Sequence, residues 1–207
     1  MRFFFLILLF YTPGLALTQR QASGIGFFKV GKTTLKEMPT LIDTNAGTFY
    51  YDSSRNQYYS NEYEISAILF SRLKLDFFQD TLYSIDFKSS PEIIDAFRVK
   101  YGEPKKSIVS KTIKCRTSIK HADEKFPIHE FEEKSQTELY TYPSLKGVSV
   151  VHKHEYNYNN ECKLVESEDF YIISSRFVVK YLKSEIKKEK DILKRQDAEK
   201  LKELNNL

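Results

Sequence analysis

One helix with both ends marked in the sequence stands between two long series of strand-like runs, and this arrangement leaves few folds open. Ser90 offers an N-cap hydroxyl, Pro91 takes the first helical position, and Ile93, Ile94, Phe97 and Tyr101 recur at helical spacing. Gly102 fits the C′ position and Pro104 blocks continuation. Before this helix, the runs 25–30 (IGFFKV), 48–51 (TFYY), 63–70 (YEISAILF), 73–78 (LKLDFF) and 82–87 (LYSIDF) are apolar or aromatic and lean toward strand. After it, residues 108–115, 128–142, 148–158 and 170–173 show alternation or β-branched content. Successive strands without intervening helices pair as antiparallel meanders. The expectation is therefore an α+β fold with antiparallel sheet and a packed helix near 91–101. Thr34-x-x-Glu37 has capping-box spacing, and Pro39 confines any helix there to about one turn or shifts its start.

From 175 to 207 the chain holds no Gly or Pro and is dominated by Lys, Glu, Leu and Ile, which predicts one long charged helix. Phe177, Val178, Tyr181 and Leu182 are apolar enough to pack on the body. Beyond Ile186 only Ile192, Leu193, Leu201 and Leu204 continue the pattern, too irregularly for a heptad seam. A solvated helix is the plain reading, and an oligomer formed through it is the alternative. Residues 24–174 form the body, and the break after the capped helix leaves room for two small subdomains meeting near 104–107. No internal repeat is visible.

At the amino end, Met1-Arg2 precedes an apolar run at 3–11 and then Pro13, Gly14, Leu15 and Ala16, the layout of a cleavable signal peptide ending at residue 16, or alternatively at 18. The run is about half of the roughly 20 residues needed to span a bilayer, so no stable membrane span is expected after cleavage. The reading places the protein in a secreted or periplasmic compartment. There, Cys115 and Cys162 read as one disulfide, with two buried thiols as the alternative. A composition of 41% hydrophobic and 14% aromatic residues supports a folded core despite 29% charge. The net charge of +4 is too small to argue for nucleic acid or membrane partners.

Gly26 through Gly31, Lys32 and Thr33 satisfy the P-loop expression G-x-x-x-x-G-K-[ST]. The residues before Gly26 are polar, and Phe-Phe-Lys-Val favours extended chain over a phosphate cradle, so the motif reads as strand, turn and cap. No cofactor is expected. His152-x-His154 would share one strand face, and a metal would need a third ligand such as His129 or Glu155, so no metal site is assigned. Tyr50, Tyr51, Tyr58 and Tyr59, set among Asn and Ser, form a candidate recognition surface, because a tyrosine ring buries area while its hydroxyl stays wet. No G-x-S-x-G, no HExxH and no Ser, His and Asp ordering point to hydrolysis.

The strand FFKV, Gly31 and the segment Thr34-Leu35-Lys36-Glu37-Met38 resemble the opening of small BamE/SmpA-like envelope domains. Residues 82–85 with Lys100-Tyr101-Gly102-Glu103-Pro104 also resemble a strand-helix-KYGxP segment of uncharacterised bacterial exported proteins. The resemblance implies an α+β envelope module and brings no catalytic residue. The expected function is a non-enzymatic binding or accessory module of the cell envelope, with a protein or glycan partner outside the cytoplasm. An extracytoplasmic hydrolase is the competing class.

Overall fold

Turns made without glycine shape the first half of the sheet. Ser66 (φ 54°) and Ala67 (φ 61°) reverse the chain between β4 (Gln57–Ile65) and β5 (Ile68–Phe78). Gln79 (φ 57°) and Asp80 (φ 91°) do the same between β5 and β6 (Thr81–Lys88). Paired left-handed residues match the twist of a two-residue hairpin, which corrects the single strand expected over 63–70. The apolar run at 25–30 is likewise divided, into β1 (Gly24–Ile25) and β2 (Phe28–Lys29) around Gly26 (φ 48°). There follow α1 (Met38–Leu41), a single turn, and β3 (Tyr50–Asp52).

The structure, a computed structural model, describes residues 23–117, 129–144, 146–159 and 162–205. The leader expected at 1–16 and His121 lie outside these residues. α2 spans Pro91–Tyr101 as expected, with the Ser90 hydroxyl accepting from the Ile93 N–H at 3.3 Å and Gly102 at φ 89° closing it. The second half continues with β7 (Lys105–Thr117), β8 (His129–Tyr142), β9 (Val148–Tyr158), β10 (Leu164–Ser174) and α3 (Ser175–Asn205).

Strands β3 to β10 form one antiparallel eight-stranded sheet in the order β3-β4-β5-β6-β10-β9-β8-β7. Two four-strand meanders, each followed by a helix, therefore meet at the β6–β10 seam, a repeat of topology that the sequence does not display. The expected subdomain boundary near 104–107 falls at the start of β7, and the strands on both sides of it belong to this sheet.

Alternation separates the two faces of the sheet. Leu73, Leu75, Phe77, Ile85, Phe87, Phe170, Ile172 and Val150 are buried on the inner face. Ile25, Phe28, Val30 and Met38 from the amino-terminal segment join them, as do Ile93, Phe97 and Tyr101 from α2. Across the seam, Phe87, Phe170, His152 and Tyr140 are cross-strand neighbours on β6, β10, β9 and β8. Their rings stack in sequence at 5.3, 4.8 and 5.2 Å between centroids, and Lys106 of β7 caps the row 5.2 Å from the Tyr140 ring. Such contacts act beyond the area they bury. They tie the two meanders together.

Candidate functional site

The outer face of β3, β4 and β5 holds polar and aromatic side chains in a shape a ligand could enter. Its rim is a stacked pair, Tyr50 and Tyr59, directly opposite one another across β3 and β4 with centroids 5.3 Å apart. Both remain open to solvent, at 51% and 39% exposure. Their sequence neighbours point the other way. Tyr51 packs at a tilt on Tyr58, and Tyr58 packs edge-on against Phe49 and Phe77. Strand alternation thus divides the four tyrosines nominated by sequence, and only Tyr50 and Tyr59 reach the polar face.

Beside Tyr59 lies a cavity of about 370 Å³ lined by Asp52, Arg55, Gln57, Asn61, Arg72 and Lys74. The turn after β3 is fixed by Asp52, whose Oδ1 accepts from the Ser54 N–H (2.9 Å), the Ser54 hydroxyl (2.6 Å) and the Arg55 N–H (3.3 Å). The hydroxyl bond leads the causes that hold this carboxyl below its usual range. Arg55 stands 3.7 Å from the same carboxylate. Arg72 sits at φ 54°, a strained conformation for a residue with a Cβ. There the buried positions of β5 change parity, from Phe70 to Leu73, Leu75 and Phe77.

Arg55 and Gln57 also border a second cavity of about 620 Å³, closed on one side by Tyr181, Glu185 and Lys188 of α3. Tyr181 is anchored by stacking on Tyr83 (5.5 Å) and by an edge contact with Phe78 (6.0 Å). Tyr83 is itself the extra residue of the β5–β6 bulge, where the pairing passes from Asp76–Ser84 to Phe77–Leu82. Burial raises the Asp76 carboxyl above its ordinary range, opposed by the Gln57 amide that donates to it and by Lys74. Burial, with Asp76, Tyr181 and Glu185 adding to it, pushes the Tyr83 phenol up to about 12. The two cavities share Arg55 and Gln57 as walls: the groove beside Tyr59 is basic and amide-rich under its aromatic rim, and the cavity against α3 holds Asp76 and Glu185 together with Lys188.

The remaining nominated residues fall elsewhere. Gly26 turns the β1–β2 hairpin, the Gly31 N–H donates to the Leu82 carbonyl (2.7 Å), and the buried Thr33 hydroxyl accepts from the Lys29 N–H (2.8 Å). Lys32 follows in the same turn. Glu37 accepts from both the N–H and the hydroxyl of Thr34, but α1 starts only at Met38, so Pro39 shifts the helix. His152 and His154 do share one face, and each ring Nε2 is bonded to a carboxylate, Glu168 at 2.7 Å and Glu166 at 2.5 Å. Glu155 belongs to the opposite face by alternation and pairs with Lys153, while His129 begins the far end of β8. Among the described residues no three His, Cys, Asp or Glu side chains gather as a metal site.

The backbone of Cys115 pairs with Phe131 near the outer end of β7 and β8, and Cys162 lies in the β9–β10 turn. The registers place both at the same end of the sheet. No helix among the described residues is long and apolar enough to cross a membrane.

Sequence reasoning did not find Arg55, Gln57, Asn61, Arg72, Lys74 or Asp76. The signal present was period-two spacing, since Gln57, Tyr59 and Asn61 alternate along one strand. Comparison with protein-family profiles, curated proteins and solved structures finds no match to this chain.

Proposed function

We propose that this protein is a non-enzymatic recognition module that works outside the cytoplasm and takes a protein or glycan partner in the groove headed by Tyr50 and Tyr59. The observation carrying this reading is the exposed, stacked tyrosine pair set beside a cavity of guanidinium, ammonium and amide groups. A flat ring pair accepts the apolar side of a sugar or a peptide side chain at little entropic cost, and the neighbouring donors orient the polar edge. The signal-peptide layout of residues 1–16 supports the compartment, and the resemblance to exported envelope domains supports the module class.

The test is capture of a partner from envelope extract and from a glycan array by the mature protein. Tyr59→Ala should weaken binding at least tenfold, the loss of about 1.4 kcal/mol or more that a central aromatic contact carries. Retention of full binding in Tyr59→Ala and in Arg72→Ala would remove the groove from consideration. The hydrolase reading draws on one observation, that Asp76 and Glu185 line the same cavity. Turnover of a captured glycan that is lost in Asp76→Asn would replace the binding reading with that one.

A further inference from the structure

The two edges of the sheet are treated differently. At one side the edge strand β3 has only three residues, and the length of β4 beyond it is partly covered by a bridge from Gly47 to Tyr63. At the other side β7 runs for thirteen residues, pairs with β8 in unbroken register, and has no second strand beside it among the described residues. Residues 105–112 are exposed on both faces, including Ile108 at 54% and Val109 at 56%. A long regular edge offers backbone N–H and C=O groups at alternate residues for another strand.

Charge decides what kind of strand could use it. The sequence of β7, KKSIVSKTIKCRT, holds five basic residues and no acidic one. A second copy of β7 would bring like charge against like. Antiparallel pairing centred between Ile108 and Val109, for instance, sets Lys106 opposite Lys111. Among the described residues β7 pairs only with β8, where Lys114 faces Glu132 while Lys105, Lys106 and Lys111 face Thr141, Tyr140 and Ser135 in the register. Lys106 is held by Glu138 at 2.9 Å, on the inner side of the strand pair. Lys105, Lys111 and Lys114 remain exposed for a partner on the open side.

We infer that β7 is a docking edge for an extended acidic segment of a partner protein, which adds to the sheet as a ninth strand beyond it. Main-chain bonding supplies the attachment, and cross-strand pairing of glutamate or aspartate with Lys105 and Lys111 supplies the choice of partner. Ile108 and Val109 give the incoming strand one apolar contact on each face.

The probe is a short synthetic peptide that alternates glutamate with valine and threonine, titrated into the isotope-labelled mature protein. Amide signals from residues 105–114 should shift first, and the double variant Lys105→Glu/Lys111→Glu should weaken binding about tenfold with unchanged circular dichroism. The milder Lys111→Gln should weaken it by a smaller factor and guards against a folding defect in the double variant. A peptide of the same charge, N-methylated at alternate backbone nitrogens, should not bind, because it cannot complete the ladder. Equal binding of that methylated peptide would reduce the effect to bulk charge and overturn the inference. Absence of binding, dimerisation through β7 in sedimentation, or shifts confined to the Tyr59 groove would overturn it too. The groove reading stands or falls independently, since its variants leave β7 untouched.

Discussion

His152 shows how a polar residue becomes part of a core. It is 5% exposed, lies between the rings of Phe170 and Tyr140, and reaches the Glu168 carboxylate at 2.7 Å. Burial lowers its pKa, against the pull of Glu168 in the other direction. The sign of the pH dependence follows from this. The unfolded state binds the proton more readily, so the stability tied to neutral His152 is complete above its unfolded pKa of about 6.5 and is lost as pH falls through the lower folded value. Melting temperature should fall on acidification from pH 7 to 5, and less so in His152→Gln, after allowance for its lower starting stability of about 2 kcal/mol. Parallel pH profiles of the two proteins would contradict the assignment. From sequence, His152-x-His154 was readable as a shared strand face, but nothing local reveals that one of the two stacks between rings contributed by other strands.

At the scale of elements, strand alternation accounts for what was legible and what was not. α2 was readable at both ends because a cap, a first-turn proline and a terminal glycine are local signals, and local hydrogen bonds such as Ser90 to Ile93 realise them. The hairpin at Ser66 and Ala67 was not readable, because its left-handed turn lacks the Gly or Asn that normally announces one. The parity change at Arg72 was hidden for the same reason, and with it the membership of Arg72 in the groove. The end of the sheet that holds the β9–β10 turn carries the disulfide proposal. Both cysteines lie at one end of the sheet, so a Cys115–Cys162 bond would pin the β7–β8 hairpin to the β9–β10 turn. Formed by exchange with an oxidising protein disulfide, it removes two hydrogens from the chain. Non-reducing intact mass should show that loss, and Cys162→Ser should lower stability by about 2–4 kcal/mol under oxidising conditions. Equal masses before and after reduction, or an unchanged melting curve, would refute the bond.

For the whole molecule, the central fact is that two meanders share one sheet through β6 and β10, strands separated in the chain by α2 and three further strands. α3 then leaves the sheet. Phe177, Val178, Tyr181, Ser184 and Glu185 are partly covered, and every residue from Ile186 to 196 is exposed. Ile186, Ile192 and Leu193 are each more than half exposed, too sparse for a continuous seam. Deleting residues 186–207 should leave the oligomeric state unchanged and the stability within about 0.5 kcal/mol. A fall from dimer to monomer by light scattering would instead make this helix a self-association element.

The sequence by itself determined the fold class, the capped helix α2, the long helix α3 and the spans of β6, β8 and β9, because each is marked by local caps, turns or alternation. Only the tertiary structure decided which strands meet at the seam, which of four tyrosines face the groove, and that β7 has no second strand beside it among the described residues while the other edge is blunted. Those outcomes depend on pairings between distant segments, where a shift of one residue turns every side chain to the other face and no local signal records the choice.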